Sequence, residues 1–280
     1  MASGGPTSQE DRVMDERFSG FGAFILYTIT AGMMLFILAP LLLVMAVSVS
    51  DSYFVTFPPQ GFTLKWYAKV LQDRDFLEAM RLSILLALGT TAGSLLFGVP
   101  AAFALVRGRF FGLAAIKGFL LSPLIFPALV TGLALLQVLT RLGSQDARLN
   151  LLIGHVVVTS PYVIRTVVTS LQLVDENLED AARTLGANRL TTFWRVTLPQ
   201  IASGVAAGGL FAFMVSFDNY PVTMWLANSE YSPVPLVLMR QLVNVFDPSV
   251  PAMSTIIILM AMVGVLLLEK LVGLRRALAA

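Results

Sequence analysis

This sequence predicts an all-α integral membrane protein with six transmembrane helices and both termini on the cytoplasmic side. Three observations carry that expectation. Of 280 residues, 56% are hydrophobic and only 13% are charged, about half the charged share of an ordinary soluble domain, and mean hydropathy is +0.79. The apolar residues gather into six runs of roughly 20 residues or more, the length that crosses a bilayer as a helix. The 19 Lys and Arg lie between those runs rather than on one face or tail, with a bias to one side. The same figures argue against a soluble enzyme, a disordered chain or a nucleic-acid module, and leave the lipid bilayer as the solvent. Net charge +2 and a pI of about 9.0 then reflect topology, with no nucleic-acid partner.

Residues 1–20 form a polar tail in which Glu10, Asp11, Asp15 and Glu16 mix with Arg12 and Arg17. The first span, 21–49, holds no charge. It exceeds the ~7–15 residues of a signal-peptide core and reads as an uncleaved span. The segment 50–81 carries Trp66 and Tyr67 as interfacial anchors and is expected to hold a short helix at the outer surface. Spans two, three and four follow at 82–106, 118–140 and 149–171. An inner connection, 174–200, leads to span five at 201–226. Pro233, Pro235, Pro248 and Pro251 punctuate an outer segment before span six at 252–271. Residues 21–276 thus read as one transmembrane domain, with 277–280 as a tail. With the N-terminus inside, twelve of the nineteen basic residues fall on the cytoplasmic side, Arg107, Arg183, Arg189 and Arg195 among them. Gly89 with Gly93, and Gly204 with Gly208, have the spacing that lets helices approach closely.

The connection 174–200 reads VDENLEDAARTLGANRLTTFWRVTLPQ. Asp175 or Asn177 can cap a helix by accepting from free backbone N–H groups. Residues 179–185 are helix-compatible, Gly186 tolerates positive φ and breaks the helix, residues 190–196 can resume it, and Pro199 can open the next span. Two short helices joined by a turn make a rigid knob suited to docking a soluble partner, although a charged connection that only joins two spans would share the periodicity.

The spacing here resembles a known family. Asp180-Ala181-Ala182, three residues, Gly186, nine residues, then Val196-Thr197-Leu198-Pro199 is similar to the EAA loop of permease subunits of ABC importers. The usual pattern there is Glu-Ala-Ala, three residues, Gly, nine residues, Ile, one residue, Leu-Pro. Asp180 stands for Glu and Val196 for Ile, and both changes keep charge or shape. The order Ser216-Phe217-Asp218-Asn219-Tyr220, then Ser229-Glu230-Tyr231-Ser232-Pro233-Val234-Pro235-Leu236, resembles the second permease subunit of spermidine/putrescine-type importers. The resemblance implies that Glu179, Asp180, Ala181, Ala182, Gly186, Leu198 and Pro199 couple the membrane spans to an ATPase groove. It also implies a pair of ATP-binding subunits, a second homologous permease chain forming a heterodimer, an extracytoplasmic solute-binding protein and a bacterial inner-membrane location. No cofactor is expected on this chain; ATP and Mg²⁺ belong to the partner ATPase.

Asp218 lies 17 residues after Ile201, about 25 Å along a helix at ~1.5 Å per residue, in the outer part of the membrane. A carboxylate there is costly unless it faces water or a partner. With Phe217, Asn219, Tyr220 and Trp225 it forms a candidate substrate pathway, since a carboxylate beside aromatic faces suits an ammonium group. The alternative is that Asp218 caps the helix end, or pairs with Arg240 or a sister subunit. Polyamine subunits often carry a second acid where this chain has Asn219, which implies a less charged amine or an amino-acid derivative. His155, the single histidine, reads as a hydrogen-bonded packing residue.

Cysteine is absent, so thiolate catalysis and Cys-based metal sites are ruled out. The phosphate-loop pattern GxxxxGK[ST] and the enzyme signatures HExxH and GxSxG do not occur. A stand-alone ion-coupled transporter is the competing function. Internal repeats around interrupted helices would favour it, and the sequence offers no convincing repeat.

Overall fold

The computed structural model describes residues 21–53, 57–245 and 247–278. Among them all regular structure is helical. The predicted tail 1–20 and the last two residues lie outside the described residues. The chain divides into two compact units, 1–63 and 64–280. The first contains α1 (Phe21–Ser48), followed by a loop bonded to itself. Asp51 N–H donates to Gln60 O (2.7 Å) and Thr63 N–H to Val49 O (2.8 Å).

The second unit begins with α2 (Lys65–Val70) and α3 (Arg74–Arg107). Asp73 caps α3, accepting from Phe76 N–H at 3.2 Å. The sequence places this span at 82–106, yet the helix starts earlier and has 34 residues. At ~1.5 Å per residue it is about 50 Å long, well beyond a ~30 Å hydrocarbon layer. Its first turns are held by protein rather than lipid. Phe76 and Ala79 pack with Trp66, Val70, Val234, Val237, Ala252 and Met253. Trp66, expected as an interfacial anchor, is therefore a core residue, 6% exposed.

The third predicted span is not a single helix. α4 (Leu113–Leu121) runs into a 3₁₀ turn, Ser122–Leu124, and α5 (Ala128–Arg141) leaves at 108°. Pro123 and Pro127 explain the break, since neither supplies the N–H an uninterrupted helix requires. α6 (Ala147–Gln172) is continuous through Pro161 and is capped by Asp146, which accepts from Arg148 N–H at 2.9 Å. α7 (Glu176–Thr184), α8 (Arg189–Thr192), a π turn at Phe193–Thr197 and α9 (Leu198–Gln200) form the 174–200 connection. The segment Arg189–Gln200 meets α10 (Ala202–Phe217) at 75°. α10 stops at Asp218, short of the predicted end, and α11 (Tyr220–Leu226) follows. α12 (Val234–Arg240), a π turn at Gln241–Val245 and α13 (Val250–Leu278) complete the chain.

Three helices, α1, α3 and α6, are long and apolar enough to cross a membrane alone, and the number is five if each bent pair is one span. Within the second unit α6 is the hub. One cluster joins Ala102 of α3, Val163, Ile164, Val167 and Leu171 of α6, and Ala212 of α10. Another joins Leu86, Leu139, Leu151, Val158, Val222 and Leu226 from α3, α5, α6 and α11. Both glycine pairs face α6, as their spacing predicts. A Cβ at Gly93 would meet Val156 Cγ2 at 2.8 Å, and one at Gly208 would meet Thr166 Oγ1 at 2.5 Å. Such contacts bring backbones together where side chains would hold them apart.

Candidate functional site

The 174–200 connection folds as a capped helix, a glycine turn and a second helix. Asp175 is the N-cap of α7, accepting from Asn177 N–H at 2.9 Å. Glu176 and Glu179 lie in its first turn and Arg183 in its last, each favoured by the helix dipole. The helix ends in a Schellman arrangement. Gly186 N–H donates to Arg183 O (2.9 Å) and Ala187 N–H to Ala182 O (3.0 Å). Gly186 has φ +89°, which other residues adopt at a cost, and a Cβ built there would meet nothing within 4 Å. Asn188 caps α8, accepting from Thr191 N–H at 2.8 Å.

The two adjacent acids part company. Asp180, the position matching the family Glu, is exposed and pairs only locally, with Arg183 at 3.1 Å. Glu179 points inward and is 3% exposed. Thr197 Oγ1 donates to Glu179 Oε1 at 3.0 Å, and Arg107 Nη2 lies 3.4 Å from the same oxygen. Arg107 Nη1 also donates to Glu176 Oε1 at 2.7 Å, and Nη2 to Val174 O at 3.4 Å. One guanidinium at the end of α3 thus holds both first-turn acids of α7, and one of those acids holds the residue preceding α9. Phe193 adds an edge-to-face contact with Phe103 of α3, centroids 5.8 Å apart. Leu198 packs partly buried beside Val174 and Ile201, whereas Ala181 and Pro199 are exposed and Ala182 is half-buried. The outer surface of the knob mixes charge, with Asp180, Arg183, Arg189 and Arg195 exposed, and bared apolar side chains: Leu185 is 89%, Leu190 68% and Trp194 59% exposed.

Nothing in the local sequence marks Arg107 or Thr197 as a partner of Glu179. Arg107 ends an apolar run 72 positions from Glu179, so no local spacing links them. The only sequence signal was a cation in the last turn of a helix, where the dipole favours one.

The second group gathers where α10 breaks. Asn219 is buried and caps α11, accepting from Val222 N–H at 3.1 Å. Asp218 is the exposed last residue of the preceding turn. Among the described residues its carboxylate neither caps α11, a role taken by Asn219, nor pairs with Arg240, which pairs with Asp75 at 3.1 Å; a pairing with a sister subunit stays open. Phe217 is buried and stacks on Phe213, centroids 6.0 Å apart. Tyr220 borders a crevice of about 520 Å³ with Met224, Asn228, Met239 and Arg240. Trp225 is set apart. Its ring packs toward α5, where a Cβ on Gly132 would meet Trp225 Cδ1 at 2.9 Å. Four of the five predicted pathway residues therefore share one break, and the fifth turns to the core.

A wider cavity, about 640 Å³, opens beside the start of α3 and α6. Its rim is organised by Arg148, which hydrogen-bonds Tyr231 Oη, stacks 4.3 Å over that ring and faces Glu230 at 3.9 Å. Hydrogen bonding to Glu230 raises the Tyr231 phenol above its ordinary value.

Comparisons agree with this architecture. The model of a family described as the binding-protein-dependent transport system inner membrane component matches residues 17–274. The chain is 31% identical over 207 residues to the spermidine/putrescine transport system permease protein PotC of Escherichia coli (strain K12), covering 74% of this chain and 78% of that one. It is 29% identical over 230 residues to the putrescine transport system permease protein PotI of the same organism, covering 80% and 82%. Among solved structures, a bacterial alginate ABC transporter in complex with an alginate pentasaccharide-bound periplasmic protein shares the fold, with TM-score 0.66, 15% identity and coverage of 88% and 93%. This chain belongs to the binding-protein-dependent transport system inner membrane components, the permease subunits of ABC importers.

Proposed function

We propose that this permease carries a small amine-containing solute inward, polyamine-like or less charged, by alternating access driven by a partner ATPase pair. In this reading the chain has six spans with both termini in the cytoplasm, sits in a bacterial inner membrane, pairs with a second homologous permease chain, and receives solute from an extracytoplasmic binding protein. ATP and Mg²⁺ stay on the ATPase.

One observation carries the reading: a knob that bares three large apolar side chains and whose inner side is bonded to α3. Leu185, Leu190 and Trp194 face outward, and apolar side chains bared in this way mark a protein interface. Glu179, meanwhile, ties the knob to Arg107 and Thr197. A push on the exposed side then moves α3 and the start of α10 together, because a bonded junction transmits displacement. Asp180 and Gly186 face the ATPase in this scheme, Ala181, Ala182, Leu198 and Pro199 shape the knob, and Glu179 acts from behind. For the solute, the names of PotC and PotI support an amine, and the exposed Asp218 carboxylate supplies a counter-charge. Asn219 is occupied as a cap and adds none.

The test uses the assembled complex in lipid with Gly186→Ala and Gly186→Trp. Both pay the strain of positive φ, about 1 kcal/mol. Only Trp projects bulk into the space a docked ATPase would fill. Loss of binding-protein-stimulated ATP hydrolysis with Trp but not Ala is expected. Equal effects would sink the docking assignment, and uptake by this chain without any ATPase would favour a stand-alone transporter.

A further inference from the structure

We infer that His155 is a positioning residue that holds the break between α10 and α11 in one geometry, acting as a neutral imidazole protonated on Nε2. The inference rests on the reading that Asp218, which sits at that break, lies on the solute path.

His155 is on α6 and fully buried. Its Nδ1 lies 2.9 Å from Ser216 Oγ, two residues before Asp218, and its Nε2 lies 3.0 Å from Thr223 Oγ1, five residues after. One ring therefore bridges both sides of the break. The surrounding bonds decide the tautomer. The Thr223 hydroxyl donates to Asn219 O, so its proton is committed and it can only accept from the ring. Nε2 must then carry the hydrogen. A neutral imidazole offers one donor and one acceptor, so Nδ1 accepts from the Ser216 hydroxyl. On the same helix Thr159 Oγ1 donates to His155 O (2.7 Å) and therefore accepts from Ser94 Oγ of α3 at 2.7 Å. Two runs of neutral bonds result: Ser94 to Thr159 to the His155 carbonyl ties α3 to α6, and a directed chain from Ser216 through the ring to Thr223 and Asn219 ties α6 to both halves of the broken helix. Asn219, whose carbonyl ends the chain, also caps α11 through its side chain. Together they set the direction in which the exposed Asp218 leaves the backbone.

The experiment uses the complete complex with ¹⁵N-labelled histidine. Signals absent from a His155→Asn complex identify the ring, which is the chain's only histidine. A neutral Nε2–H pattern at neutral pH is expected; an imidazolium or an Nδ1–H pattern overturns the inference. Two variants leave the ring in place, so the test survives if histidine replacements fail to assemble. Thr223→Val removes the acceptor, and the ring should shift to Nδ1–H with Ser216 accepting. Ser216→Ala should leave Nε2–H unchanged. Solute moved per ATP should fall about tenfold in Thr223→Val, as for the loss of one buried hydrogen bond, while ATP hydrolysis continues. Unchanged coupling with a shifted tautomer would show that the clamp does not position the path. An Asp218→Asn complex with intact uptake would instead reject the substrate reading, leaving the tautomer result as it stands.

Discussion

The knob and the break between α10 and α11 are both polar junctions between helices, built from opposite chemistry. At the knob a carboxylate and a guanidinium are buried side by side: Glu179 and Arg107 have side chains 4% and 13% exposed. At the break the buried groups are His155, Ser216, Thr223 and Asn219, none of them charged in the arrangement inferred above. The difference follows from position on the helices. Arg107 is the last residue of α3 and Glu179 lies in the first turn of α7, where helix dipoles offset part of the desolvation cost. His155 lies within α6 among apolar neighbours, where no such compensation exists and a neutral ring is the economical donor–acceptor. Ionic ties hold the ends of this bundle, and hydroxyl–imidazole ties hold its interior.

If that contrast is right, disturbing the ionic junction has the largest effect. Arg107→Met removes the nearer of the two cations on buried Glu179, leaving only the half-exposed Arg183 at 3.8 Å, and should lower stability by about 3 kcal/mol, read as a fall in the melting temperature of the purified complex. Adding Glu179→Leu should restore most of it. A single variant that melts normally would mean that Arg183 alone satisfies Glu179.

A smaller effect is expected at the exposed ionic tie between Lys69 and Asp247, 2.6 Å apart. Burial alone would raise the Asp247 carboxyl. Hydrogen bonds from Lys69 and from the Ser249 hydroxyl and N–H outweigh it and hold the group below its ordinary 3.8. A depressed carboxyl contributes stability above its unfolded value and loses it as pH falls through the folded one. Asp247→Asn should therefore cost under about 1 kcal/mol at neutral pH and flatten melting-temperature profiles below about pH 4. A variant with the parent's acid profile would assign that loss to other groups.

Asp218→Asn marks the lower end of the scale. The carboxylate is exposed and supports no bond among the described residues, so melting should not change. Uptake at limiting solute should fall if the group meets an ammonium. A stability loss like that of Arg107→Met would reveal a structural partner and undo the contrast.

How far the sequence reaches differs along the chain. The first, second and fourth spans were legible because their apolar runs are unbroken, and lipid rewards length and hydropathy without reference to neighbours. The third was legible as apolar but not as bent, since Pro123 and Pro127 permit a break without setting the 108° between α4 and α5. The start and the turn of the knob were legible, since Asp175 and Gly186 act through local backbone bonds that spacing encodes, whereas Pro199 falls in the short α9 and the next long helix starts beyond a 75° bend. The knob's inner anchor was not legible. Asp180 and Glu179 are neighbours with the same chemistry, and only packing decides which turns inward to Arg107 and which faces out.

The break at Asp218 follows the same rule. Composition singled out the acid, yet its neighbour Asn219 proved to be the cap and a histidine from another helix the clamp. By itself the sequence determined that the chain lives in lipid, where its long helices run and which loop is a rigid knob, because those depend on hydropathy and short-range backbone bonding. Tertiary structure alone decided which polar groups meet, because bonds spanning 61 to 72 positions, as at His155 and Arg107, arise from helix packing that no local pattern records.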